Sequence, residues 1–170
     1  MANETKQQAD FINMLTRCRG SVLRVCLFYT KLNGENFQDL YQDILCALWE
    51  SWPSFKGKSK ANTWATRIAL NVGALKYRAH KRMPTFIHID EEICNNIADE
   101  TSVPYHDLLY QLIERLDSEE DRQLLYLYLD RKKQSEIAKI LGISTEAVRQ
   151  RIHRITEKLI KLNEQDKNEQ

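Results

Sequence analysis

Apolar positions recur three and four residues apart along most of this chain, and the breaks in that rhythm mark out its elements. From about Gln8 to Tyr29, the residues Phe11, Leu15, Cys18, Val22, Val25 and Tyr29 fall on one side of a helix. Asn33-Gly34 then supplies a turn. Phe37, Leu40, Tyr41, Ile44, Leu45 and Leu48 predict a second helix from about Asn36 to Trp49, and Pro53 marks its stop. A third helix is expected from about Asn62 to Arg82, with Asn62 or Thr63 as cap and Trp64, Ile68, Val72 and Leu75 as core stripe. Three helices with apolar faces of this length can bury one another as a small bundle.

The rhythm returns near the other end. Ile137, Ala138 and Leu141 give a short helix one apolar face, and Gly142 ends it, because a residue without Cβ adopts a left-handed conformation at low cost. Ile143 packs inward, Ser144 or Thr145 caps the next helix, and Val148, Ile152, Ile155 and Leu159 form its buried stripe. Small Ala138 and Gly142 let the two helices cross closely, so residues 135–159 predict a helix-turn-helix. The expected fold class is therefore all-α, with two small helical domains, residues 8–82 and 105–163. An acidic linker, residues 83–104, joins them and carries Pro84 and Pro104.

Composition supports this reading: five Gly and three Pro in 170 residues argue against a loop-rich β protein. The net charge of +1 conceals a strong segregation. Between Glu50 and Asp90 no acidic residue occurs, while Lys56, Lys58, Lys60, Arg67, Lys76, Arg78, Lys81 and Arg82 do. From Asp90 to Asp121 acids dominate and Arg115 is the lone cation. Basic character then resumes from Arg131 to Lys161. Two basic patches separated by an acidic spacer imply two separate polyanion contacts.

Each basic patch carries different chemistry. On the second helix of the helix-turn-helix, Glu146, Arg149, Gln150, His153 and Arg154 oppose the apolar stripe. Arg can grip guanine, and Gln adenine, with two hydrogen bonds each. In the first patch, Trp52, Phe55, Trp64 and Tyr77 sit among the cations, a mixture suited to unpaired rather than intact duplex DNA.

Other classes fit poorly. There is no phosphate-cradling Gly-rich loop, HExxH or GxSxG. Acids are missing from the first basic patch, where metal-dependent nuclease chemistry needs them. No catalytic residue and no cofactor is expected. Cys18, Cys26, Cys46 and Cys94 form no CxxC pair and have no His at zinc-ligand spacing, so neither a metal site nor a disulfide is expected. Without a membrane span or a signal-peptide core, the chain is expected in the cytoplasm.

Residues 36–82 resemble domain 2 of a bacterial RNA polymerase sigma factor, closest to the compact extracytoplasmic-function (ECF) group of the sigma-70 family. The shared elements are Asp39-Leu40-Tyr41-Gln42, the aromatic stretch Trp49 to Phe55, Thr63-Trp64, Arg67-Ile68-Ala69, Asn71 and Arg78. The helix-turn-helix is similar to domain 4 of the same family through Glu136 to Ala138, Leu141 to Ser144, and Val148 with Arg151 to Arg154. Asp117-Ser118-Glu119 resembles the family's Leu-Pro-acid helix start but lacks the proline.

The resemblance implies roles. Asp39, Gln42, Asp43 and Trp49 would bind core RNA polymerase at the β′ clamp helices, with the β flap as a second contact of the chain. Phe55, Lys56, Lys58, Ser59, Lys60, Asn62, Thr63, Arg67, Asn71 and Arg78 would recognise and melt the promoter −10 element. At the −35 element, Glu146, Arg149, Gln150 and His153 would read bases, while Ser144, Thr145, Arg151, Arg154 and Lys158 would position phosphates. Regulation by an anti-sigma factor is implied by the resemblance alone. The rival reading is a stand-alone helix-turn-helix regulator, which leaves the acidic second helix and the long acid-free interval unexplained.

Overall fold

The computed structural model of the chain describes residues 2–34, 36–81 and 106–168, and all the regular structure among them is helical. Helices α1 (Ala2–Asn33), α2 (Phe37–Ser51) and α3 (Ala61–His80) form one compact unit. A second unit contains α4 (His106–Glu114), α5 (Glu119–Leu129), α6 (Gln134–Leu141) and α7 (Thr145–Asn168). The expected linker, residues 83–104, lies outside the described residues, as do Arg82 and Cys94.

In the first unit, α1 is longer at both ends than its apolar pattern indicates. Val22, Val25, Cys26 and Tyr29 are sealed from solvent, and Leu40, Ile44 and Leu48 of α2 close over them. Fully burying an aliphatic side chain such as Val22, Val25, Leu40, Ile44 or Leu48 is worth about 1.5–3 kcal/mol relative to exposure. Asn36 caps α2, its Oδ1 accepting from the N–H groups of Gln38 (2.8 Å) and Asp39 (3.2 Å). Gly34 takes a left-handed φ of +68° just after α1 and makes the turn.

The third helix departs from the sequence reading in phase. Its buried face is Ala65, Thr66, Ala69, Leu70, Gly73, Ala74 and Tyr77, whereas Leu75 is 62% exposed and Trp64, Ile68 and Val72 are half-buried. The bulky residues had marked the wrong stripe because small residues line the true one. They allow α3 to lie close against α1, with the Tyr29 ring occupying the space where a Cβ on Gly73 would sit. Asn62 and Thr63 do not cap α3. The helix starts one residue earlier, with Lys60 at the cap position and no side-chain hydrogen bond there.

The second unit buries Ile113, Leu116, Leu124, Leu127, Ile137, Val148 and Ile155 at its centre. Ile140 of α6 is buried as well, and Leu141, expected inside, is half-buried. Arg122 is only 5% exposed. Its guanidinium pairs with Glu119 at 3.0 Å and donates to the carbonyl oxygens of Glu114 (3.4 Å) and Leu116, closing the C-terminal end of α4. Ser118 caps α5 despite the missing proline, its hydroxyl accepting from the Asp121 N–H at 3.4 Å. At the end of α5, Arg131 holds a left-handed φ of +55°, a conformation that favours glycine.

Candidate nucleic-acid interfaces

Three surfaces collect the candidate residues, each built on a different helix. The first is the outward face of α2. Asp39, Gln42 and Trp49 are exposed, and Asp43 is half-exposed. Trp49 leans edge-on against Phe11 of α1, ring centres 5.0 Å apart, and so presents a fixed aromatic surface beside the carboxylates. The Asp43 carboxylate pairs with Lys76 of α3. The sequence groups that cation with the first basic patch; the phase of the helix turns it toward α2.

The second surface begins at the short 3-10 turn Trp52–Ser54. Ser54 donates its hydroxyl to the Ser51 carbonyl (2.7 Å), and the Phe55 N–H bonds the Trp52 carbonyl (3.0 Å). Trp52, Phe55 and Trp64 form a half-buried aromatic group, with Phe55 4.8 Å from Trp64 and stacked on Trp52 at 5.5 Å. Neither Trp52 nor Phe55 is therefore wholly core or wholly free. From this anchor the loop runs out through Lys56, Gly57, Lys58, Ser59 and Lys60, all exposed. Gly57 has a φ of +66° with open space around it. Loop cations on a fixed aromatic base can follow a flexible phosphate backbone while a base rests against a ring face.

Next to the loop, α3 presents Arg67, Asn71 and Arg78, all exposed and aligned along one side. Asn62 and Thr63 lie half-buried in its first turn, and the Asn62 Oδ1 is shielded from solvent with no donor on it. Leu75 falls between Asn71 and Arg78 on the same line, an apolar position on this polar stripe that core reasoning had placed inside. Tyr77, grouped with the surface aromatics by sequence, is 2% exposed and belongs to the core.

The third surface is the helix-turn-helix. Gly142 ends α6 at φ +70°, the Ile143 N–H bonds the Ala138 carbonyl at 3.1 Å, and the Ser144 hydroxyl accepts from the Ala147 N–H at 3.1 Å. These contacts fix the angle between the helices through the backbone itself. On α7, Glu146, Arg149, Gln150 and His153 share one exposed face. Glu146 binds both Arg149 (3.0 Å) and Gln150 (3.3 Å), and His153 approaches Glu157 at 3.5 Å. Ser144 and Thr145 are exposed at the start of the helix, where its positive end favours phosphate, and Arg151 is half-buried. Arg154 and Lys158 turn to the flank: Arg154 forks onto both oxygens of Asp121 at 3.2 Å, and Lys158 pairs with Asp117. The sequence places both acids in the acidic stretch and Asp117 at a helix start, and nothing local in it announces contacts across 33 and 41 residues.

Two of the described thiols are buried away from these surfaces, while Cys46 is exposed on α2. Burial pushes Cys26 up to about 12 and raises Cys18 as well, leaving both protonated and inert at neutral pH. Among the described residues no three His, Cys, Asp or Glu side chains come together as metal ligands, and no described helix is long and apolar enough to cross a membrane.

Comparison with known proteins connects the two units. The family model for Sigma-70 region 2 matches residues 14–83, and that for Sigma-70, region 4 matches residues 106–159. Among solved structures, the fold is similar to CnrH in complex with the cytosolic domain of CnrY: 23% identity, TM-score 0.62, covering 94% of this chain and 90% of that one. It is also similar to the sigma factor RpoE in complex with the anti-sigma factor NepR from Bartonella quintana: 21% identity, TM-score 0.62, 91% of this chain and 97% of that one. No curated protein gives a sequence match. At such identities the solved structures speak to fold, while the two region matches, in order along one chain, speak to family. The chain belongs to the sigma-70 family, in its compact extracytoplasmic-function form, and is a transcription initiation factor that binds core RNA polymerase and promoter DNA.

Proposed function

We propose that the three surfaces divide promoter-directed initiation among α2, the loop with α3, and α7. Asp39, Gln42, Asp43 and Trp49 dock the β′ clamp helices of the polymerase. A carboxylate-bearing face repels DNA but suits a basic protein surface, and an exposed Trp beside it adds apolar contact area. The second unit meets the β flap, and residues 83–104 join the two halves along the polymerase.

At the −10 element, the Lys56–Lys60 loop and the line of Arg67, Asn71 and Arg78 hold the non-template strand once it opens, with Asn62 and Thr63 at the junction. The aromatic base formed by Trp52, Phe55 and Trp64 receives an unstacked nucleotide. No bond is made or broken by the chain. Extruding a base costs only a few kcal/mol, and preferential binding of the open strand shifts the equilibrium toward melted DNA. At the −35 element, α7 lies in the major groove with Glu146, Arg149, Gln150 and His153 toward the bases. The factor is not an enzyme, and it works in the cytoplasm with the polymerase and the chromosome.

The observation that carries this reading is the pairing, within one short chain, of an acid-faced helix and two cationic surfaces of different build. The RpoE structure, solved with the anti-sigma factor NepR, supports a further element: a protein inhibitor that holds this factor until a signal releases it. The test is transcription in vitro on a promoter library, with core polymerase and the full chain, followed by mapping of start sites. Sequence-defined starts that require both components are expected. A duplex operator shifted equally well by the chain alone would favour the stand-alone regulator.

A further inference from the structure

Four side chains on α7 share its exposed outward face, but Arg154 and Lys158 lie off that face. On a helix turning about 100° per residue, Arg149, Gln150 and His153 lie within roughly 60° of Glu146. Arg154 and Lys158 lie about 80° and 120° round from it, on the flank that approaches the start of α5. Each is engaged there. Arg154 binds both carboxylate oxygens of Asp121 at 3.2 Å, and Lys158 pairs with Asp117. The Asp121 side chain is only 15% exposed, which favours its charge-assisted bonds to Arg154 over exchange with water, whereas the Asp117 side chain is 86% exposed.

We infer that Asp121 and Asp117 are positioning residues for the DNA-reading helix, and that Arg154 and Lys158 hold its orientation instead of gripping phosphates. The inference rests on reading α7 as the −35 helix and refines that reading. Two cations one turn apart on α7, tied to Asp121 in the first turn of α5 and to Asp117 in the turn before it, restrain rotation of α7 about its own axis. Arg149 and Gln150 form bidentate contacts only when that rotation is right. Carboxylates beside the flank also disfavour a phosphate there, which biases the angle at which the helix enters the groove.

A charge exchange separates the two possible roles. The probe is a duplex recovered by the wild-type holoenzyme from a pool with a randomised upstream element, and all variants are assayed as full chains with core polymerase. Arg154→Asp should weaken binding on the order of tenfold. Combining it with Asp121→Arg should return affinity to within about threefold of wild type, because the pair is rebuilt with opposite signs. A second readout is the salt dependence of binding. Arg154→Gln should leave the slope of log K against log salt unchanged, whereas loss of a phosphate contact would reduce it by about 0.9.

Arg149→Ala serves as the control for the underlying reading and should weaken binding in either case. If it does so while the exchanged pair stays as weak as Arg154→Asp, or while Arg154→Gln lowers the slope, the inference is wrong and the −35 assignment stands. If Arg149→Ala has no effect, the −35 assignment fails and takes the inference with it. Thermal unfolding of each variant identifies any that do not fold, and the slope of Arg154→Gln then decides alone.

Discussion

The helices α3 and α7 both present cations on their outward faces, yet they manage that charge in opposite ways. On the α3 surface, Arg67, Arg78 and the loop lysines Lys56, Lys58 and Lys60 are exposed and have no carboxylate partner among the described residues. On α7, Arg149, Arg154 and Lys158 each have an acidic partner: Glu146 on the same helix, Asp121 on α5 and Asp117 in the turn before α5. The difference matches what each is proposed to hold. A melted strand has no fixed shape, so unpaired cations on a short loop can follow it. A duplex groove is rigid, and reading it requires side chains whose directions are set beforehand.

Close steric contact holds α3 against α1, and this gives the largest expected effect. Gly73→Ala would drive a methyl group into the Tyr29 ring and should destabilise the first unit by about 2–3 kcal/mol in urea unfolding. Unaltered stability would mean that α3 is not held by this close approach. A smaller and more selective effect is expected from replacing Lys56, Lys58 and Lys60 together by Gln. Binding of a single-stranded −10 oligonucleotide by the holoenzyme should lose about 2 from its salt slope, at roughly 0.7 per phosphate contact. Duplex binding at the upstream element should keep its slope. The smallest effect belongs to the corner between α5 and α6: Arg131→Gly relieves the left-handed backbone and should stabilise the second unit by about 0.5–1 kcal/mol in thermal unfolding, with DNA binding unchanged.

The same contrast explains how far the sequence was legible. The helix-turn-helix could be read because its determinants are local: Gly142 at the left-handed position and Ser144 at the cap act within four residues of where they stand. The acidic face of α2 was equally plain, since Leu40, Ile44 and Leu48 set its phase without competition. On α3 the phase was misjudged. Trp64, Ile68, Val72 and Leu75 look like a core, but packing against Tyr29 selects the face of Ala65, Ala69 and Gly73. The pairs Asp43–Lys76, Asp121–Arg154 and Asp117–Lys158 were likewise hidden. Each joins residues from different elements of the fold, and a charge pattern read along the chain cannot pair them.

The division of labour between the halves is tested most directly by two substitutions in one reconstituted system. Binding to core polymerase and selection of the upstream promoter element are measured separately for Asp43→Arg and Arg149→Ala. Asp43→Arg should weaken polymerase association and leave upstream selectivity intact in the complexes that still form. Arg149→Ala should lose about 1–3 kcal/mol of upstream discrimination with polymerase association unchanged. If both substitutions impaired only the association with polymerase, α7 would not be the duplex-reading element and the assignment of the three surfaces would be contradicted.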